Sequence, residues 1–245
     1  METTSIALVT GANKGIGFET VRALAQHGMT VLLGARDPER RERATAALRA
    51  EGLDVHPTAL DVTDPDTIRA TAELIDERFG RLDVLVNNAG TSKGLNHLPS
   101  EADLDWVQRA FDTNVFGVIR VTNAMLPLLE RSEAGRIINV TSGYGSVAQL
   151  IDADRQIPMP AQVDYPTSKA ALNALTVQYA KELVDQDIKV NAITPGFCAT
   201  DFNKELGIQI PRTAAEGAAV AVKYAIAGPD GPTGGFFDED GPVPW

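Results

Sequence analysis

The chain has 245 residues, 44% hydrophobic and 22% charged, an ordinary balance for a globular protein with a sizeable core. A net charge of −11 argues against a nucleic-acid backbone as partner, and no apolar run reaches the roughly 18–20 residues that span a bilayer. Cys198 is the lone cysteine, which excludes an intrachain disulfide and makes a reducing cytoplasm the simplest home.

Apolar β-rich runs alternate with helical patterns along most of the chain, which predicts a parallel sheet covered on both faces. Met1–Ser5 has no basic cluster, and the apolar stretch after it, Ile6–Val9, reads as a first strand rather than a secretory signal. A glycine turn follows, then a helix over Lys14–Gln26 that Gly28 stops. Val31–Leu33 is the second strand, and Pro38 opens a helix to about Ala50. Val55–Leu60 is the third strand, Thr63-Asp64-Pro65 starts a helix to Phe79, and Leu82–Val86 is the fourth strand. Long helices are predicted over Asp103–Leu129 and Pro166–Val184, with strands at Ile137–Val140 and Val190–Ile193. Thr213–Ala227 is a last helix, and Gly235–Phe237 a seventh strand.

Ser146–Gln162 is the least regular stretch. Its Ile157-Pro158-Met159-Pro160 segment argues against a helix, so it reads as a loop beside the site. Asp238-Glu239-Asp240 reads as a solvated turn. No linker or repeat interrupts the alternation. The expectation is one doubly wound α/β domain over residues 1–245, Rossmann-type, with about seven strands and an irregular insert near 146–162.

Thr10-Gly11-Ala12-Asn13-Lys14-Gly15-Ile16-Gly17 lies between a strand and a helix, the context a dinucleotide turn requires. Its glycines let backbone N–H groups approach a pyrophosphate, whose charge the helix N-terminus favours. Gly11, Asn13, Lys14, Gly15, Ile16 and Gly17 are therefore candidate cofactor contacts. The spacing is G-x-x-x-G-x-G rather than G-x-G-x-x-G. The second strand ends in Gly34-Ala35-Arg36-Asp37. A carboxylate there would favour NAD, and an arginine favours the 2′-phosphate of NADP. Ala35 occupies the carboxylate position and Arg36 follows, so the cofactor expected is NADP(H), with Lys14 as a second cation. Arg36 as a solvated helix-start residue and Asp37 as the ribose ligand are the competing readings.

Tyr165 and Lys169 are four residues apart, which on a helix stacks a phenol and an ammonium one turn apart. A nearby cation favours the phenolate and is expected to lower the phenol's pKa from about 10.

Together these motifs resemble the short-chain dehydrogenase/reductases. Thr10-Gly11-x-x-x-Gly15-x-Gly17, Asn87-Asn88-Ala89-Gly90, Asn114, Ser142, Tyr165-x-x-x-Lys169 and Pro195-Gly196 occur in that family's order and span essentially the whole chain. Gly34-Ala35-Arg36-Asp37 and the run from Glu216-Gly217-Ala218 through Gly234-Gly235-Phe236-Phe237 to Trp245 look like its NADPH-dependent carbonyl reductase branch. The resemblance implies reversible reduction of a ketone or aldehyde to an alcohol. Ser142 would hold the substrate carbonyl, Tyr165 would donate the proton, and Lys169 would lower the Tyr165 pKa and bond the nicotinamide ribose. Asn114 would hold a water that relays protons to Lys169. Asp61 and Val62 would meet the adenine, and Asn88, Ala89 and Gly90 would shape the cofactor cleft. Pro195-Gly196 would lead to Thr200 at the carboxamide. No metal is called for. Gln149, Leu150, Phe197, Cys198 and Phe202 are candidates for a mostly apolar substrate pocket.

Plainer readings stand beside these. Ser142 caps a turn with Thr141 as rival, Asn114 satisfies buried backbone, Tyr165 is a half-buried aromatic and Lys169 a surface charge. From other functional classes come a nucleotide-binding regulator without turnover, which would be expected to lose Tyr165 or Lys169, and an epimerase or dehydratase, which needs a larger C-terminal region. The family commonly puts fewer residues between the serine and the tyrosine than the Gly143–Asp164 stretch here. In carbonyl reductases a longer insert obstructs a helix–helix subunit contact, so either a monomer or a homo-oligomer fits and the usual tetramer is in doubt.

Overall fold

All five residues of β1 (Ile6–Thr10) are buried, as a strand covered on both faces requires. The strand's alternation divides them between two cores. Ala7 and Val9 join Val31 and Leu33 on one side of the sheet, while Ile6 and Leu8 join Leu32 on the other. The computed structural model describes residues 4–92, 98–152, 161–201 and 210–245.

After β1 come α1 (Gly15–Gln26), β2 (Thr30–Ala35), α2 (Pro38–Ala50), β3 (Val55–Ala59), α3 (Pro65–Phe79) and β4 (Val84–Asn87). Then follow α4 (Leu104–Phe111), α5 (Gly117–Leu129), β5 (Arg136–Val140), α6 (Val147–Ile151), α7 (Asp164–Glu182), β6 (Lys189–Ile193), α8 (Ala214–Ala225) and β7 (Phe236–Phe237). Proline sits at the start of α2 and α3, where its missing N–H costs nothing. Asp37 and Asp64 cap those helices by accepting from Arg40 N and Asp66 N.

The strands form one parallel sheet ordered β3-β2-β1-β4-β5-β6-β7, the doubly wound α/β architecture predicted. Residues of α1, α2 and α8 pack on one face, and residues of α3, α5 and α7 on the other. Strand order reverses between β1 and β4, so a crevice opens beyond their C-terminal ends. Ligands bind at such a switch point in this class of sheet.

Two predicted elements differ. The single helix expected over Asp103–Leu129 is α4 and α5 joined by a π-helical turn at Asp112–Phe116. A one-residue widening of a helix has no compositional signature, and here it sets Asn114 against the loop after β4. The start of the expected Ser146–Gln162 loop is helical: the Ser146 hydroxyl accepts from Gln149 N and caps α6. The Pro158–Pro160 part of that loop lies outside the described residues. The C-terminal residues steady α6, with Ala148 N donating to Trp245 O (3.0 Å) and Ser146 Oγ to Pro244 O (2.6 Å). Among the described residues, no helix is long and apolar enough to cross a membrane.

Candidate functional site

The glycine turn is held from both sides of the crevice. Ala12 N donates to Gly34 O (3.0 Å), tying the turn to β2. From β4, the Asn88 amide donates to Thr10 O (2.8 Å) and Gly11 O (3.2 Å), and Asn88 N and Ala89 N both donate to the Thr10 hydroxyl. Gly11 has φ +63°, and a Cβ there would come within 2.8 Å of the Ala89 Cα, so only glycine allows this approach. α1 starts at Gly15 with no side-chain cap and no acidic residue in its first turn. Its N-terminal amides and positive dipole end thus suit a phosphate. Thr200 lies across the same turn, its methyl 3.5 Å from where a Gly15 Cβ would stand. Lys14 pairs with Asp201 at 3.1 Å, joining the turn to the loop after Pro195-Gly196.

At the end of β2 the guanidinium of Arg36 is 78% exposed, 3.8 Å from the Asp61 carboxylate. Asp61 also accepts from the Thr63 backbone and hydroxyl. Asp37 caps α2, so its carboxylate is committed to the helix start. Arg41 donates to Ala35 O at 2.9 Å and brings a second guanidinium to the strand end. Val62 is buried, packed where a side chain at Gly117 would stand.

β5, the π turn and α7 assemble the chemistry. Ser142 follows β5 by two residues, and Tyr165 and Lys169 stand one turn apart on α7. The Ser142 and Tyr165 side chains are hydrogen-bonded to each other. Lys169 Nζ donates to Val140 O (2.8 Å) and lies 5.6 Å from the centre of the Tyr165 ring. Pro166 falls in the first turn of α7, where the helix needs no N–H from it. Gly90 faces both Asn114 Oδ1 and Lys169 Nζ, each 3.5 Å from where its Cβ would be.

Asn114 is fully buried, and its side chain is a clamp. Oδ1 accepts from Thr91 N (2.8 Å), while Nδ2 donates to Thr91 O (2.9 Å) and to the Ser168 hydroxyl (2.9 Å). Thr141, the rival of Ser142, turns the other way and donates to Lys169 O at 3.2 Å. If Ser142 rather than Thr141 faces the substrate, Ser142→Ala is expected to lower kcat/KM by roughly ten- to a hundred-fold. Thr141→Val should leave that rate near the parent's and lower stability by about 1 kcal/mol. Steady-state rates and thermal midpoints for the two variants check this, and the reverse pattern would exchange the roles.

The electrostatics correct one expectation. Burial pushes the Tyr165 phenol up to about 12, and the Ser142 hydrogen bond only partly opposes it. Burial also pulls the Lys169 ammonium down to about 8. Desolvation sets both directions: it disfavours the phenolate, and it leaves the ammonium, 5.6 Å from the ring centre, close to losing its own charge. Tyr165 thus stays protonated at neutral pH, the form a proton donor needs.

A family model for short chain dehydrogenases matches residues 5–210. The chain belongs to the short-chain dehydrogenases. A short-chain dehydrogenase of Penicillium roqueforti is 35% identical over 232 residues, covering 92% of this chain and 90% of that protein. The (−)-isopiperitenone reductase of Mentha piperita is 34% identical, covering 96% of each. Among solved structures, NADPH-bound carbonyl reductase from chicken fatty liver superposes with a TM-score of 0.84 at 27% identity, covering 99% of each chain. Salutaridine reductase from Papaver somniferum gives 0.81 at 30% identity, covering 96% of this chain and 99% of that one.

This short-chain dehydrogenase is thus an oxidoreductase of a family that binds a nicotinamide cofactor and acts on small molecules. Its glycine turn, uncapped helix start and flanking guanidinium suit the phosphates of such a cofactor. Among the described residues, no cluster of His, Cys, Asp and Glu would hold a metal ion. Of the pocket candidates, Leu150 and Phe197 are exposed, and Cys198 is buried with its thiol bonded to Pro195 O. Burial pushes that thiol up, as suits a packing residue, and Phe202 lies outside the described residues. Sequence reasoning missed Arg41, Asp201, Ser168 and Tyr144. Arg212 was missed too: its Nε donates to Pro195 O (2.8 Å) and braces the loop that carries Thr200. None of these has a signal in local spacing.

Proposed function

We propose that this dehydrogenase reduces a ketone or aldehyde with NADPH, using Tyr165 as the proton donor. The observation that carries the reading is the Ser142–Tyr165 hydrogen bond beside the crevice, with Lys169 under the ring. NADPH, when bound, supplies the hydride to the carbonyl carbon. Ser142 and Tyr165 both donate to the carbonyl oxygen, and the Tyr165 proton passes to it as the alcohol forms. Lys169 holds its positive charge beside the developing phenolate and bonds the nicotinamide ribose. The α1 N-terminus with Gly11, Asn13, Gly15, Ile16 and Gly17 binds the pyrophosphate. Arg36, with Lys14 as a second cation, faces the 2′-phosphate, and Asp61 and Val62 lie on the adenine side. Asn88, Ala89, Gly90, Pro195, Gly196 and Thr200 complete the cleft. The Asn114 clamp fixes the loop at Thr91 and so the floor near Lys169. A cytoplasmic location and action on medium-sized carbonyl compounds belong to the same reading.

The direct test is loss of NADPH absorbance with a panel of ketones and aldehydes. The pH profile adds a second one. Below about 8 Lys169 is an ammonium, and above it the charge beside Tyr165 is lost. At saturating NADPH, kcat/KM for reduction is expected to fall as pH rises through about 8, by one proton. Lys169→Arg, which keeps its charge, should move the fall well upward even if its absolute rate is lower. A flat profile across that range would remove Lys169 from the mechanism.

A further inference from the structure

We propose that the Tyr144 hydroxyl is a second donor to substrate oxygen, which directs the site to vicinal diketones and α-keto esters. The inference rests on the reductase reading and adds a substrate class to it. Tyr144 is 6% exposed, and its hydroxyl is buried with no hydrogen-bond partner among the described residues. The hydroxyls flanking it in the chain are satisfied. Ser142 bonds Tyr165, Thr141 donates to Lys169 O, and Ser146 donates to Pro244 O. Tyr179, a buried phenol on α7, donates to Asn123 Oδ1 at 2.7 Å. Buried phenols find a partner in folded proteins, and phenylalanine would fill this space without an unpaired hydroxyl.

Tyr144 is held beside the reactive pair. It occupies the tight turn Gly143–Gly145, capped by Ser142, whose hydroxyl accepts from Tyr144 N at 3.2 Å. Gly145 O accepts from Asn173 Nδ2 at 3.0 Å, and a Cβ on Gly145 would come within 2.8 Å of the Lys169 carbonyl. The turn is therefore fixed against α7 beside Tyr165 and Lys169. The Tyr144 ring meets Phe197 edge-on with centroids 5.7 Å apart, on the loop after Pro195-Gly196. Burial, and secondarily the nearby Tyr165, push the Tyr144 phenol up, so it remains a neutral donor at every working pH. With Ser142 and Tyr165 engaged on the reacting oxygen, Tyr144 two residues along the same turn is left for an acceptor on the adjacent carbon. Only the first carbonyl takes the hydride and proton; the second oxygen is bound and unchanged.

Diacetyl and butanone share four carbons and differ in that second oxygen. Tyr144→Phe is expected to lower kcat/KM for diacetyl by roughly tenfold and to leave butanone within about twofold. Equal effects on the two ketones, or none on diacetyl, would overturn the proposal. Affinity of each ketone for the protein, measured by ligand-observed NMR, asks the same question without turnover. If the parent reduces neither ketone, the affinity pair decides the role of the hydroxyl, and the wider ketone and aldehyde panel decides the reductase reading. The thermal midpoint of Tyr144→Phe should match or exceed the parent's, because an unpaired buried hydroxyl is removed. A clearly lower midpoint would show that the hydroxyl has a structural partner and would also overturn the proposal.

Discussion

Tyr165→Phe is expected to lower kcat for carbonyl reduction by about 10²- to 10⁴-fold, the contribution of a positioned proton donor. The NADPH Kd should stay within about threefold, because the phenylalanine ring keeps its place over Lys169 and only the hydroxyl is lost. Ser142 remains to orient the carbonyl but has no proton to give at comparable cost, since its neighbour in the hydrogen bond is gone. Turnover within about tenfold of the parent would sink the assignment of Tyr165 as the acid. Cofactor affinity by fluorescence titration and kcat with one ketone make the comparison. A folded variant with both constants reduced would move Tyr165 from chemistry to cofactor binding.

Cofactor choice should respond as strongly to two residues at the end of β2. A hydrogen bond to a charged group contributes about 1.5–3 kcal/mol, so Arg36→Ala should weaken NADPH by roughly ten- to a hundred-fold. NADH has no 2′-phosphate and should be affected much less. The exposed Arg36 guanidinium can turn to a phosphate at little cost, since its pairing with Asp61 is long, 3.8 Å, and near solvent. Ala35→Asp adds a carboxylate that repels the phosphate and accepts from the NADH 2′-hydroxyl, so the preference should invert. The measurement is kcat/KM for both cofactors in the parent and both variants. A parent that prefers NADH, or an Arg36→Ala ratio equal to the parent's, would make the phosphate-site assignment wrong. Asp37 is then a poor substitute, because it caps α2 through Arg40 N.

Much of the site could be read from short-range pattern. The glycine turn is legible because β1 runs straight into it and α1 starts within it, so sequence neighbours are also spatial neighbours. Tyr165 and Lys169 are legible for the same reason, since helical rise alone places them one turn apart. The π turn was not legible, because Asp112–Phe116 carries helix-compatible residues and its widening answers to a loop from the far side of the crevice. Nor was the difference between Thr141 and Ser142. Adjacent hydroxyls look alike until α7 packs on β5 and offers the Lys169 carbonyl to one and the Tyr165 hydroxyl to the other.

Residue order alone was enough for the parallel alternation, the place of the glycine turn, the Tyr–Lys pair and the exclusion of a disulfide within the chain. These depend on periodicity and on contacts a few residues long. Packing settled the rest: the protonation of Tyr165 and Lys169, the clamp made by Asn114, the pairing of Arg36 with Asp61 and the unpartnered hydroxyl of Tyr144. Each of these depends on how much water is excluded and on which groups arrive from distant elements. An ammonium four residues from a phenol lowers that phenol's pKa only if solvent and charge remain near its oxygen. Here burial removes the water and weakens the charge, and the sign reverses.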